Sequence, residues 1–242
     1  MSPALHYQGA VMHYTVTAII LAAGKGLRMG SSIPKQYMLL EGYPVLAHTL
    51  EAFDAAPSVD AIVIVSADEA YIKDNVLNYH PISKPICFIE GGNERQNSVW
   101  NALQLVEESE IAVVHDGVRP LTRVEVIEEC IAAARQYGAA AAGMPSKDTV
   151  KEVNSQGFSV RTPDRDKIWL IQTPQAFRLD LLKAAHEKAR KENFIGTDDS
   201  SLVERMGHPV KLIMGGYDNI KITTPEDLEV AAQYIKNRRI SL

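Results

Sequence analysis

An α/β fold, with a mostly parallel sheet flanked by helices, is predicted by three observations. Apolar runs of strand length alternate with segments of helical period, and this unit recurs four times before residue 139. The rhythm then breaks at two short strand-like runs around Asn154-Ser155-Gln156-Gly157, which reads as a β-hairpin arm inserted in the sheet. No linker, repeat or low-complexity stretch divides the chain, so the arm, at about 145–165, belongs to a single domain covering 15–242.

The elements follow in order. Thr15–Leu21 is the first strand, and a loop rich in glycine and charge runs from it to Gln36. A helix enters at Pro44, a residue suited to the first helical position, with Leu46, Leu50 and Phe53 on one face. Strand Ala61–Ser66 leads to a helix carrying Ile72, Val76 and Tyr79 in register. Strand Ile86–Glu90 ends in Gly91-Gly92, and a helix with Val99, Leu103 and Val106 follows. Ile111–His115 delivers Asp116 at its carboxyl end, ahead of a helix patterned by Val124, Ile127, Ile131 and Ala134. After Ala139–Met144 comes the arm, Thr149–Val153 paired with Phe158–Arg161. The chain returns through Ile168–Gln172, a helix over Leu179–Lys191, a short helix near Leu202–Met206, and strands at Val210–Met214 and Asn219–Ile222. A last helix starts with Thr224 as N-cap and Pro225 at its first position.

Bulk properties narrow the function classes. With 46% hydrophobic and 23% charged residues in 242, the chain can bury an ordinary core without metal or disulfide staples. Its 25 basic and 30 acidic residues give a net charge of -5, so no overall field draws it to nucleic acid or to an anionic membrane. Any phosphate site must be built locally. Cys87 and Cys130 lie far apart, outside any C-x-x-C spacing, and fit a reduced, cytoplasmic protein. The apolar run Ala18–Ala23 is too short to span a bilayer, and residues 1–14, with a second methionine at Met12, read as an N-terminal extension without a targeting signal.

Five segments carry the chemistry. After the first strand, Ala22-Ala23-Gly24-Lys25-Gly26-Leu27-Arg28-Met29-Gly30 precedes Pro34-Lys35-Gln36. Small residues let backbone N–H groups approach a polyphosphate, and Arg28 and Lys35 can neutralise its charge. The glycines match neither the dinucleotide fingerprint nor a P-loop. Gly91-Gly92-Asn93-Glu94-Arg95-Gln96-Asn97-Ser98 opens a helix at the end of the third strand, where ligands lie in open parallel sheets. Paired glycines allow a flat base against the backbone, with Ser98 in bonding reach. Taken alone, these residues are better explained by a helix start with Asn93 as cap and Glu94 in the first turn. His115-Asp116-Gly117-Val118-Arg119-Pro120 ends the fourth strand; a carboxylate beside a triphosphate is a candidate Mg²⁺ ligand, and Arg119 would face a phosphate oxyanion. Near the carboxyl end stand Thr197-Asp198-Asp199 and Asp218-Asn219-Ile220-Lys221, which taken alone read as a helix cap and an exposed strand lysine. The histidines form no metal-binding cluster and no G-x-S-x-G elbow occurs.

Together with Gln172-Thr173-Pro174-Gln175, these motifs, in this order from about Thr15 onward, resemble the 2-C-methyl-D-erythritol 4-phosphate cytidylyltransferase family. The resemblance implies a nucleotidyltransferase-type, Rossmann-like fold and a cytoplasmic homodimer whose arms reach the neighbouring subunit. It implies transfer of the cytidylyl group of CTP to 2-C-methyl-D-erythritol 4-phosphate with Mg²⁺, releasing pyrophosphate on the way to isoprenoid precursors. Ala22, Ala23, Gly24, Gly92 and Ser98 would hold cytosine and ribose, with Arg28 and Lys35 on the triphosphate. Asp116, Arg119, Thr197 and Lys221 would hold the sugar phosphate, joined by Thr149 and Arg165 from the partner's arm region. Asp116 would also lie near the metal. Asn93 departs from the aspartate, and Gly117 from the alanine, that many members carry. A ribitol 5-phosphate cytidylyltransferase is the nearest alternative, but that branch tends to have Ala-Gly-Gly after the first strand and lacks Thr-Asp-Asp. A nicotinamide-dependent dehydrogenase would need an acid about 20 residues past the glycines, and Asp68 lies beyond that spacing. A non-catalytic nucleotide sensor would not need Arg28, Lys35, Asp116 and Lys221 together.

Overall fold

The alternation of strand and helix assembles, in a computed structural model that describes residues 6–7, 10–11, 15–24 and 33–240, into a seven-stranded sheet. The first half is a run of crossover units: β1 (Val16–Leu21), α1 (Val45–Ala55), β2 (Ala61–Ser66), α2 (Glu69–Ile72), β3 (Ile86–Glu90), α3 (Arg95–Leu103), β4 (Ile111–Asp116) and α4 (Val124–Tyr137). The second half comprises β5 (Ala139–Pro145), the arm strands β6 (Glu152–Val153) and β7 (Ser159–Arg161), then β8 (Trp169–Arg178), α5 (Leu179–Lys191), α6 (Asp199–Arg205), β9 (Lys211–Met214) and α7 (Pro225–Ile240). Across the sheet the order is β9-β5-β8-β4-β1-β2-β3, with β8 antiparallel to both its neighbours and every other pairing parallel.

Strand side chains alternate between two helical layers, as the period of two requires. Ala18 and Ile20 of β1, Ile62 and Ile64 of β2 and Val113 of β4 pack with Leu50 and Phe53 of α1 and Ile127 and Ile131 of α4. Ile19, Val63, Val65, Ala112 and Val114 face the other way, onto Val99 and Leu103 of α3, Leu182 and Ala185 of α5 and Leu202 of α6. Phe53 is fully buried, so Phe53→Ala would cost about 3–5 kcal/mol. A smaller cluster docks Ala231 and Ile235 of α7 onto Leu40, Val118, Leu121 and Ile222.

The fold differs locally from the sequence expectations. Pro44 is the N-cap of α1 and pairs with Leu39 in a two-residue ladder, rather than opening the helix itself. The helix after β2 has a single α turn and continues as a π turn over Lys73–Leu77, which leaves Tyr79 exposed and out of register with Ile72 and Val76. Asn219–Ile222 is not a strand. Its apolar alternation is satisfied by Ile222 packing under α7, while the Ile222 N–H donates to the Val118 carbonyl at 2.9 Å.

In the arm, Glu152 stands opposite Arg161 and Val153 opposite Ser159. The turn is closed by Asn154, whose Oδ1 accepts from the N–H groups of Gln156 and Phe158, and Gly157 takes the left-handed φ of 84° that a side chain would resist. Val153, Phe158 and Val160 all lie more than half exposed on this arm.

Candidate active site

Parallel register aligns the carboxyl ends of the central strands, and the crevice beyond them gathers most of the candidate residues. Leu21 is level with Val65 and with Asp116, so Ala22 and Gly117 emerge side by side. Their loops are tied by backbone bonds, Ala22 N–H to the Val65 carbonyl at 2.8 Å and Gly117 N–H to the Leu21 carbonyl at 2.9 Å. Buried Gln36 donates to the Ala22 carbonyl at 2.8 Å, so the chain after the first loop folds back against its beginning. At the end of β3 a Cβ on Gly91 would stand 2.4 Å from the Ala23 Cβ, which makes glycine necessary for this close approach. Ser98 Oγ accepts from the Gly92 N–H at 3.0 Å and donates to the Glu94 carbonyl at 3.2 Å. Ala22, Ala23, Gly91, Gly92 and Ser98 thus form one continuous wall. A side chain at Gly117 would sit 2.9 Å from the Leu21 carbonyl, a reason for glycine at this position in this chain.

Beside that wall, Asp116 is buried among three cations. Lys221 Nζ lies 2.9 Å from Oδ2, Arg119 Nε 3.4 Å from Oδ2 and Arg95 Nε 3.4 Å from Oδ1. The Asp116 backbone N–H also donates to Thr173 Oγ1 at 3.0 Å. Burial alone would push the Asp116 carboxyl up, but Arg95, Lys221 and Arg119 outweigh it and hold the group far below the usual carboxylate range. Arg119 is further fixed by donating to the Asn219 carbonyl at 2.8 Å, and Lys35 by donating to the Ile222 carbonyl at 3.0 Å. The irregular segment 219–222 therefore touches both cations while carrying a third, Lys221.

A second carboxylate balances Arg95. Asp199 is buried at the start of α6, 2.6 Å from Arg95 Nη1 and 3.1 Å from His186 Nε2. Burial raises its carboxyl, yet Arg95 and His186 bring it net below the ordinary value. Three cations against two carboxylates leave this cluster a net positive charge, with Lys35 nearby, and an anion in the crevice would complete the balance. His115, one residue earlier on β4, is fully buried beside Phe53, and desolvation drops its pKa to about 3. Its neutral ring is a structural support.

Of the residues expected from sequence, Asp116, Arg119 and Lys221 meet directly, and Ala22, Ala23, Gly92 and Ser98 share the adjoining wall. Gly24 is exposed; Arg28 lies outside the described residues. Thr197 is exposed, and the cap of α6 is its neighbour Asp198, which accepts from the Ser201 N–H at 2.9 Å. Thr149 and Arg165 are exposed on the arm and take no part in the described contacts of Asp116; Arg165 donates to the Lys147 carbonyl at 3.3 Å. Among the described residues no group of three or more His, Cys, Asp or Glu could hold a metal ion, and Asp116 is the carboxylate set against Lys221 and Arg119. No described helix is long and apolar enough to cross a membrane. Sequence reasoning did not assign Arg95, Asp199, His186, Thr173 or Asn219. All but His186 fall inside segments already quoted from the sequence, Gly91–Ser98, Gln172–Gln175, Thr197–Asp199 and Asp218–Lys221, which is the signal that could have found them.

Comparison with known proteins bears on this architecture as a whole. Residues 16–237 match the family model described as 2-C-methyl-D-erythritol 4-phosphate cytidylyltransferase. The chain is 48% identical over 224 residues to the protein of that name from Caldanaerobacter subterraneus subsp. tengcongensis, covering 91% of this chain and 99% of that one. It is 47% identical over 229 residues to the one from Geobacter metallireducens, covering 92% and 98%. Among solved structures, the 4-diphosphocytidyl-2C-methyl-D-erythritol synthase of Anaerococcus prevotii superposes with a TM-score of 0.81 at 38% identity, covering 91% of this chain and 96% of the other. The cytidylyltransferase of Thermus thermophilus gives 0.74 at 30%, covering 91% and 98%. The order of strands, the strand-end crevice and these matches over nearly the whole length lead to one conclusion: the chain belongs to the 2-C-methyl-D-erythritol 4-phosphate cytidylyltransferase family.

Proposed function

We propose that this chain transfers the cytidylyl group of CTP to 2-C-methyl-D-erythritol 4-phosphate, forming 4-diphosphocytidyl-2-C-methyl-D-erythritol and pyrophosphate in the non-mevalonate route to isoprenoids. The observation that carries the reading is the set of cations converging on Asp116 at the strand ends of a chain from this family. A phosphate oxygen of the sugar phosphate attacks the α-phosphorus in line as pyrophosphate leaves, so the protein supplies orientation and positive charge. A phosphate nucleophile needs no general base.

In this reading the wall of Ala22, Ala23, Gly24, Gly92 and Ser98 receives cytosine and ribose. Arg28 and Lys35 take the triphosphate and the charge developing at the α-phosphorus. Arg119, Lys221 and Thr197 hold the sugar phosphate, whose hydroxyls can donate to Asp116. Thr149 and Arg165 complete the site from the arm of a second subunit in a homodimer. The exposed Val153, Phe158 and Val160 support an arm that is covered by protein in use. Magnesium would be held by Asp116 on the protein side, and when bound it would neutralise charge on the triphosphate. The Arg95 and Arg119 contacts to Asp116, at 3.4 Å, are long for charge-assisted bonds and leave that carboxylate capacity to accept. The reaction belongs in the cytoplasm, where CTP is available.

Pyrophosphate release tests the reading. CTP and Mg²⁺ with methylerythritol phosphate should give rapid release, and ATP, GTP or UTP should not substitute. Release with ribitol 5-phosphate alone would transfer the chain to that alditol substrate, and release with neither would remove the catalytic reading.

A further inference from the structure

Behind the site, α5, α6 and the start of α3 bury a polar chain that the proposed reaction does not use. His186 of α5 has no exposure and Asp199 only 1%. Because the Asp199 carboxyl is held below its ordinary value, it accepts only, so His186 Nε2 is the donor in their 3.1 Å bond. The second Asp199 oxygen takes Arg95 Nη1 at 2.6 Å, and Arg95 Nε reaches on to Asp116 Oδ1 at 3.4 Å. Arg95 is thus shared unequally, tightly by a carboxylate outside the crevice and loosely by the one within it.

We infer that Asp199, braced by His186, is a positioning residue that draws Arg95 off Asp116 and so keeps Asp116 Oδ1 open to substrate. Both carboxylates draw on one planar guanidinium, Asp199 at Nη1 and Asp116 at Nε, so the position of the guanidinium is set by the balance of the two attractions. Without the Asp199 charge, Arg95 would close on Asp116 and occupy its Oδ1. His186 fixes the Asp199 carboxylate plane, and this is why a donor sits in an otherwise apolar layer between Trp100 and α6. Sharing one guanidinium between two acids couples α6 to the strand-end crevice without any contact between Asp199 and substrate.

This inference rests on the function proposed above, and its test separates the two. Turnover and CTP affinity would be measured for the wild type, Asp199→Asn, Arg95→Ala and the double variant. Asp199→Asn should raise KM for the sugar phosphate and lower kcat/KM about tenfold to a hundredfold, and the same change made on Arg95→Ala should add less than about threefold, because coupled residues are non-additive. Equal effects of Asp199→Asn in both backgrounds, or wild-type kinetics in that variant, would overturn it. If Asp199→Asn does not fold, the His186 pair decides: His186→Gln, which keeps a donor, should retain activity that His186→Leu loses, and equal activity in the two would overturn the inference. A wild type without turnover would strike the proposed reaction, while the coupling between Asp199 and Arg95 would still be read from the CTP affinities of the four proteins.

Discussion

The cluster around Asp116 and the arm around Phe158 are built on opposite terms. In the cluster Asp116, Asp199, Arg95 and Arg119 are each held by more than one partner, and Asp116, Asp199 and His186 are almost wholly buried. On the arm, strands of two and three residues carry exposed apolar side chains, and Arg165 is held through a backbone carbonyl. The difference teaches where preorganisation resides. Charge stabilisation needs groups already oriented before substrate arrives, and only a buried network on strand ends supplies that. A segment with little buried surface gains its order from whatever it packs against.

The sharpest way to break this contrast is to remove a cation from the preorganised side. Lys221→Ala should lower kcat about a hundredfold or more, and Lys35→Ala should lower turnover far more than it weakens CTP binding, both read by steady-state pyrophosphate release and CTP titration. Unchanged turnover in Lys35→Ala would remove that residue from the chemistry. Next in size, Phe158→Asp on the arm should shift sedimentation toward monomer and lower the thermal midpoint most at low protein concentration, with activity falling about tenfold and recovering at high protein concentration. An unaltered sedimentation profile would detach the arm from assembly.

A subtler probe is Gly91→Ala, which forces a Cβ against Ala23 and should weaken CTP binding about tenfold while costing about 1–3 kcal/mol of stability. The smallest effect concerns pH. His115 has its pKa lowered from 6.5 to about 3, so the unfolded chain takes up a proton that the folded chain refuses as pH falls between those values. Stability is fully present above pH 6.5 and lost progressively toward pH 3. Asp116 and Asp199, with depressed carboxyls, add to the loss only once pH falls below their unfolded value of 3.8. His115→Gln should flatten the midpoint-against-pH curve between about pH 6.5 and 4 without moving kcat.

The sequence made the sheet legible because strand burial imposes near-continuous apolar runs, and it made Asp116 legible because strand ends are where such sheets bind ligands. Arg95 and Asp199 escaped because a cation in a first helical turn and an acid beside a cap look the same whether they face solvent or each other. Asn219–Ile222 misled for a related reason: the alternation of Ile220 and Ile222 reports burial, and α7 provides that burial without a strand. Thr197 and Asp198 are both acceptable caps, and only the backbone decided for Asp198. What the pattern could not carry was any pairing between distant residues.

That long reach has a kinetic side. Lys35 meets Ile222 across 187 positions and Arg119 meets Asn219 across 100, while β1 must find β4 before Asp116 has a neighbour. Contacts so remote close late and slowly. Recovery of catalysis after dilution from urea should therefore lag the return of helical circular dichroism, which makes turnover a clock for the last event in assembly rather than the first.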